Sequence, residues 1–357
     1  MKILQVSPRY HPDIGGVETH VKEISERLAE RGFEVEVVST DPTGRLPENE
    51  IINGVAVRRF RSIAPDNAYF FAPQIYLYLR NSRCDVIHAH GYHALPAFFA
   101  AMAKGDRKFV FTPHYHGRGH TPFRDLLHKP YRLIGSRIFE AADRVVCVSL
   151  FERGLLETDF GVPGERIERT TNGINLDEFQ FEAGEKDLSK ILYVGRLEEY
   201  KGVQHIIRAL PHLSGRRLVV VGRGPYEEEL KRLAEDLGVE ERIEWLRDLS
   251  REELLDHYRS VGVFVMLSSF EAFGITVAEA LASGTSCIVA EGSALEEFVD
   301  GKTCVGLSRP IVVDQLVERI GDLSGEVVGE GDLRRENIRS WDEVADQHVK
   351  LYERLVG

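Results

Sequence analysis

The 357-residue chain has little cysteine, tryptophan or methionine, with 4, 2 and 3 of each. Cys84, Cys147, Cys287 and Cys304 are far apart in sequence and show no paired spacing. That excludes a disulfide framework and a cysteine-based zinc module, and it predicts a reduced, cytoplasmic compartment. Cys147 and Cys287 stand inside apolar strand-like runs, where cysteine behaves as a small hydrophobe. No apolar stretch approaches the ~18 residues of a membrane span. The apolar run after Met1 is too short for a secretory leader. Positive charge is in deficit as well. A net charge of −12 argues against a nucleic-acid partner, which needs a basic face. The local cluster Arg58-Arg59-Phe60-Arg61 is expected to be a solvated strand edge.

What remains is a soluble profile, 43% hydrophobic and 29% charged, in a chain longer than one core usually supports. Two domains are therefore expected. Short apolar runs alternate with helical patterns along most of the length. Strands are expected at Ile3–Val6, Val35–Ser39, Val55–Phe60, Val86–Ala89, Phe109–Thr112 and Arg144–Val148. After a polar lapse over Glu178–Ser189 the rhythm restarts at Ile191–Val194, Leu218–Val221, Ile243–Leu246, Val263–Leu267 and Ser286–Ala290. Runs of this length separated by helices mark parallel βαβ units. The fold class is α/β, with two successive doubly wound parallel-sheet domains of the Rossmann-like kind. The first spans residues 1–180, and the second 190–337. Ligands of such sheets lie beyond the carboxyl ends of the strands. Ser149 with Glu152, and Ser250 with Glu253, have capping-box spacing. The amphipathic segment Trp341–Val356 forms a terminal helix whose packing partner periodicity does not identify.

The chemistry-bearing residues concentrate in the second half. Gly195-Arg196-Leu197-Glu198-Glu199-Tyr200-Lys201-Gly202 follows a strand and carries two cations five apart. Fixed cations stabilise a departing diphosphate more in the transition state than in the ground state. Arginine offers a planar fork, lysine a point charge. Standing alone, such a pair is more often surface charge. Ser268 to Gly284 holds Glu271 and Glu279, eight apart around a glycine-marked turn. On one continuous helix they would lie about 80° apart. The Ala272-Phe273-Gly274 turn instead places Glu271 in a loop and Glu279 in the helix that follows. That helix's amino terminus directs free N–H groups at a phosphate, and Gly284 suits its end. Carboxylates accept from sugar hydroxyls, so the pair is suited to gripping a ribose and a transferred sugar. Gly15-Gly16, between the first strand and first helix, allows backbone to approach a diphosphate or acceptor, or is simply a tight turn. Gly222-Arg223-Gly224-Pro225 reads mainly as a turn.

Nine of the thirteen histidines fall at or before His128. His88 and His90 share one strand face, as do His114 and His116 if that strand persists. With no helical ligand motif and no cysteine beside them, the expectation is no metal site. Some should touch substrate hydroxyls or phosphate, and the rest should be structural.

At Gly15-Gly16-Val17-Glu18, Asp85-Val86-Ile87-His88-Ala89-His90, Thr112-Pro113-His114, Asn172-Gly173-Ile174-Asn175, Gly195-Arg196-Leu197 with Lys201-Gly202, and above all the E-x7-E pair Glu271 and Glu279, the chain resembles glycosyltransferase family 4. The resemblance covers Met1 to about Gly301 and the terminal helix. It implies the GT-B fold, two facing Rossmann-like domains, with residues 338–357 crossing back to the first, acceptor-side domain. It implies retaining transfer from a nucleoside-diphosphate sugar, with no cofactor and no obligatory metal. By that likeness Arg196 and Lys201 bind the diphosphate and Glu279 the ribose. Glu271 holds the transferred sugar, helped by backbone N–H groups near Phe273, Gly274 and Ile275, and His114 faces that sugar. Leu267 and Ser286 stand where the family usually has proline. The acceptor is left open among lipid-linked sugar, polysaccharide and small polyol. Two rival readings are a nucleotide-sugar epimerase and a non-catalytic donor-binding subunit. The amphipathic residues 122–140 are better read as helix packing on the sheet than as a peripheral contact with the inner face of a membrane.

Overall fold

The computed structural model describes residues 1–65, 68–117, 122–179, 186–323, 328–329 and 337–357, with backbone alone for 122–130. The chain divides into two compact units, Met1–Gly173 with Ser340–Gly357, and Ile174–Arg339.

The first unit is built on an eight-stranded sheet. Its spatial order is Asn49–Ile52, Val55–Arg61, Glu34–Asp41, Lys2–Val6, Val86–His90, Lys108–Thr112, Arg144–Cys147 and Ile167–Arg169. All neighbours pair in parallel except the first two, which form an antiparallel hairpin. Its turn is Asn53-Gly54, both with positive φ (47° and 80°), the backbone a two-residue hairpin needs. The hairpin covers Val55–Arg61, so the arginine cluster is not a sheet edge. Arg59 is buried, pairs with Glu50 and donates to the carbonyls of Pro47 and His11. The strands are valine- and isoleucine-rich because both faces are covered. Ile3, Leu4, Val6, Val86 and Ile87 are fully buried, each worth about 1.5–3 kcal/mol of apolar transfer.

The terminal helix Trp341–Val356 begins with a reciprocal capping box between Ser340 and Glu343. It packs on the helix Gly16–Glu30, with Arg31 reaching Asp342 and Asp346 at 2.9 Å each. Its inner face buries Val344, His348, Leu351 and Tyr352.

The second unit is a six-stranded, wholly parallel sheet ordered Ile243–Leu246, Arg217–Val221, Asp187–Val194, Val261–Met266, Cys287–Ala290 and Cys304–Leu307. This order reverses between Asp187–Val194 and Val261–Met266, and such a switch point is where doubly wound sheets hold ligands. The expected first domain ran to residue 180, but the structural division falls after Gly173. Glu178 explains the difference. Its carboxylate accepts from Arg251 and its carbonyl from Arg259, and Phe179 is buried, which ties this stretch to the second unit.

Candidate active site

Two loops meet at the switch point of the second sheet. The first follows Val194. Gly195, with φ at 157°, donates its N–H to the Val221 carbonyl, and Leu197 donates to Arg223. The Gly222–Gly224 turn comes so close that a Cβ on Gly222 would lie 1.9 Å from the Gly195 oxygen, and one on Gly224 2.1 Å from that of Leu197. These glycines hold the cation-bearing loop against its neighbour. Gly222→Ala should therefore displace the Arg196 segment and lower stability by about 2 kcal/mol or more, read as the urea midpoint. An unchanged midpoint would show that the loops do not need this contact. Gly202, φ 81°, ends the same loop, where a Cβ would strike the Leu267 carbonyl at 2.5 Å.

The second loop runs from Ser268 to Gly274. Ser269 N–H donates to the Tyr200 carbonyl at 2.7 Å, and Arg309 donates to the Ser268 carbonyl at 3.1 Å. This brings Lys201 Nζ to 2.5 Å from Glu271 Oε1, both side chains largely buried. Burial pulls the Lys201 pKa down, but Glu271 and Tyr200 outweigh it and the net shift is upward. Lysine stays charged there, 5.2 Å from the Tyr200 ring centre. Arg196 stands apart from this pair. Its side chain is 65% exposed and held by Glu198 at 2.7 Å, and its carbonyl accepts from the Tyr193 hydroxyl at 2.8 Å. The same loop thus carries one exposed guanidinium and one fixed, buried ammonium, an adjustable and a preset cation.

Gly274, with φ at 112°, caps the helix Ile275–Ala282. A Cβ there would meet Leu295 at 2.6 Å. Phe273 is buried against Phe298, ring centres 5.4 Å apart, which anchors the turn. Glu271 lies in the loop and Glu279 in the helix. Glu279 is only 8% exposed, so it is not a solvated helix residue. Arg251 Nη1 donates to one of its oxygens at 2.7 Å and the Tyr258 hydroxyl to the other at 3.1 Å. Burial raises the Glu279 pKa against the pull of Arg251 and Tyr258. Burial acts on Arg251 in the opposite sense, yet Glu279 and Glu178 raise it overall. A carboxylate has about four acceptor positions, so two direct bonds leave room for hydroxyl donors. Sequence reasoning missed Arg251 and Tyr258. The signal was present, since the capping box at Ser250 and Glu253, reciprocal in the structure, opens the helix that carries both.

The remaining expected residues lie in the first unit. Gly15, extended at φ 177°, precedes the helix Gly16–Glu30, and Gly16 is its first residue, with nothing within 4 Å of a Cβ there. Glu18 in that first turn is buried and pairs with Arg9 at 2.6 Å. The strand before His114 ends at Thr112, so His114 and His116 do not share a strand face. His114 sits at φ 49°, and burial depresses its pKa to about 3.

The backbone behind His114 is held by Glu152. That spacing predicted a capping box, but only half of one forms. Ser149 Oγ accepts from Glu152 N–H, while the buried Glu152 carboxylate turns inward and accepts from Val148 N–H at 2.7 Å and Tyr115 N–H at 2.5 Å. Glu152→Ala would strand two buried donors, each worth about 1–3 kcal/mol. The expected loss is about 2–4 kcal/mol in urea unfolding, with Glu152→Gln recovering part of it. A loss under about 1 kcal/mol would contradict this bracing role.

Of residues 122–140, side chains are described from 131 onward. Tyr131, Ile138 and Phe139 are buried in the core and Leu133 is exposed. The side chains of the basic stretch around Arg124 and Lys129 lie outside the described residues, as does His120. Among the described residues no helix is long and apolar enough to cross a membrane.

Two Rossmann-like units, one with cations and paired carboxylates at its switch point, define the GT-B glycosyltransferase architecture. The comparisons agree. Residues 14–178 match the model of Glycosyltransferase Family 4 and residues 176–326 that of Glycosyl transferases group 1. A glycosyltransferase of Methanocaldococcus jannaschii, itself uncharacterized, is 29% identical over 99% of this chain and 98% of its own. The D-inositol 3-phosphate glycosyltransferase of Streptomyces scabiei is 27% identical over 85% of this chain and 78% of its own. Anabaena HepE, solved in complex with UDP-glucose, superposes with a TM-score of 0.78 at 16% identity, covering 99% of this chain and 100% of that one. The chain is a glycosyltransferase of the family 4 type, an enzyme that transfers glycosyl groups.

Proposed function

We propose that the enzyme moves a sugar from a nucleoside-diphosphate donor to a hydroxyl or phosphate acceptor with retention of configuration. The observation that carries this is the buried Lys201–Glu271 pair, formed where two loops meet at the head of the helix bearing Glu279. In the transfer, the bond from the anomeric carbon to the diphosphate oxygen breaks and the electron pair leaves with the diphosphate. Lys201, with Arg196, meets the growing charge. N–H groups at Gly274 and Ile275 add to it from the helix start. Phe273 fixes the turn that presents them. Glu271 accepts from hydroxyls of the transferred sugar, and Glu279 from those of the ribose. The acceptor oxygen then bonds to the anomeric carbon from the face the diphosphate leaves, and its proton passes to a phosphate oxygen. No protein nucleophile is required, and the two cations take the part a metal would otherwise have at the diphosphate. Gly15, Gly16 and His114 belong to the acceptor-side unit, His114 facing the sugar.

The HepE complex with UDP-glucose makes UDP-sugars the first donors to test. The Streptomyces relative's name favours a phosphorylated polyol among the acceptors, beside lipid-linked ones. We place the reaction in the cytoplasm. Proton NMR of the product tests the stereochemistry directly. A product with the donor's anomeric configuration supports retention, and an inverted product contradicts it.

A further inference from the structure

Of the imidazoles clustered in the first unit, only His114 has a part in the transfer proposed above. His20 comes from the helix Gly16–Glu30, His90 from the strand Val86–His90, and His114 from the loop after Thr112. His348, from the terminal helix, lies with its ring centre 5.7 Å from that of His20. The His20 and His114 ring centres are 5.1 Å apart, and those of His20 and His90 5.4 Å. One ring nitrogen each from His20, His90 and His114 lies within 4.8 Å of the other two, and among the described residues this is the only such group.

The hydrogen bonds fix which nitrogen of each ring is free. His20 Nδ1 lies 2.8 Å from the Asn172 side-chain oxygen, an acceptor, so it carries the proton. His90 Nε2 lies 2.8 Å from Gln5 Oε1, again an acceptor, because the Gln5 amide NH2 donates to Tyr352. His348 Nδ1 faces the Val344 carbonyl at 2.8 Å. The opposite nitrogens, Nε2 of His20, Nδ1 of His90 and Nε2 of His348, are buried with no hydrogen-bond partner, as is Nε2 of His114. His20, His90 and His348 therefore each present a bare lone pair. His88 contrasts with them, since both its nitrogens are engaged, with Tyr352 and Thr112.

Unpartnered buried nitrogens are costly, and several converging in one place are unusual. His20 and His90 each donate one N–H to a side-chain oxygen and leave the other nitrogen unpartnered, as a metal ligand with its outer partner in place does.

We propose that His20, His90 and His114 bind a divalent transition-metal ion of the zinc class through their ring nitrogens, with His348 beside them as a fourth imidazole. An all-imidazole set suits zinc, copper or nickel rather than magnesium or calcium. Zinc–nitrogen bonds of about 2.0–2.1 Å require neighbouring nitrogens about 3.3 Å apart. The three rings need close in by no more than about 1.5 Å. The sequence-based expectation of no metal weighed the histidines of the strands and the loop after Thr112, and His20 was not among them.

The test uses the full chain stripped with a chelator and titrated with Co(II), followed by visible absorption and displaced with Zn(II). One Co(II) per chain is expected, together with a rise in melting temperature on adding Zn(II). His20→Gln and His114→Gln should each weaken binding tenfold or more. Asn172→Ala, which removes only the outer partner, should weaken it about tenfold. His212→Gln, on an exposed turn, should leave it unchanged. His114 is partly exposed, so its variant is the one least at risk of unfolding, and circular dichroism checks both. Failure of the wild type to bind Co(II) stoichiometrically would overturn the site. Undiminished binding by the folded variants would do so as well. No sugar donor enters the titration, so its result stands apart from that of the transfer reaction.

Discussion

Lys201→Ala is expected to lower kcat by about two to three orders of magnitude, with a much smaller change in donor KM. The asymmetry follows from where charge grows. A bound donor already carries its diphosphate charge, but the leaving oxygen gains more as the glycosidic bond breaks. A cation held in place beforehand stabilises that increment without reorganising. Lys201 is held in place by Glu271 at 2.5 Å, by the Tyr200 ring, and by the turn at Gly202 that no side chain fits. Glu271→Gln should also reduce kcat strongly, because it loosens the lysine as well as the contact to the transferred sugar. The two changes should combine to far less than the product of their separate effects, since each disables the same pair. Steady-state kinetics on the two single variants and the double variant checks this. Fully multiplicative losses would mean that the residues act independently.

Glu279→Gln is expected to raise donor KM and to lower kcat/KM by about tenfold to a hundredfold, the worth of one charged hydrogen bond at about 1.5–3 kcal/mol. Arg251 and Tyr258 hold the carboxylate from two sides, so its remaining acceptor positions are aimed rather than free to rotate. Tyr258→Phe removes one of these restraints and should give a smaller increase in KM. The substitution also has a stability cost, because Arg251 loses a buried partner while keeping Glu178 at 2.7 Å. The two effects separate experimentally. If Glu279→Gln lowers the unfolding midpoint but leaves donor KM untouched, the residue is a structural anchor and not a donor contact.

The parallel strands were legible because each is a short, largely buried apolar run, and every expected strand is present. The ends differ by at most two residues except at Ile191–Val194, whose strand already begins at Asp187 in the stretch expected to be polar linker. The hairpin strand Asn49–Ile52 was not legible from hydrophobicity, since it is half exposed and carries Asn49 and Glu50. Its Asn53-Gly54 turn was the missed local signal. Missing it also led Arg58–Arg61 to be read as an edge. The terminal capping box Ser340-Trp341-Asp342-Glu343 was likewise readable and overlooked.

At the site, the separate placement of Glu271 in a loop and Glu279 in a helix followed from Gly274, whose φ of 112° only glycine adopts freely. The partners of these residues were not readable. Arg251 reaches Glu279 across 28 positions, and Lys201 reaches Glu271 across 70. Such contacts come from strand order, which no local pattern carries. The inward turn of Glu152 is a different kind of miss. Its spacing from Ser149 fits a cap, and only the tertiary position of Tyr115 draws the carboxylate away.

The most direct test of the central claim is nucleoside-diphosphate release from a panel of nucleotide sugars, with and without a lipid extract and a phosphorylated polyol, for the wild type and Lys201→Ala. The account predicts release from one donor, dependent on an acceptor and reduced about a hundredfold or more in the variant. Equal release by wild type and Lys201→Ala would contradict the assignment of the Lys201–Glu271 pair as the centre of the reaction.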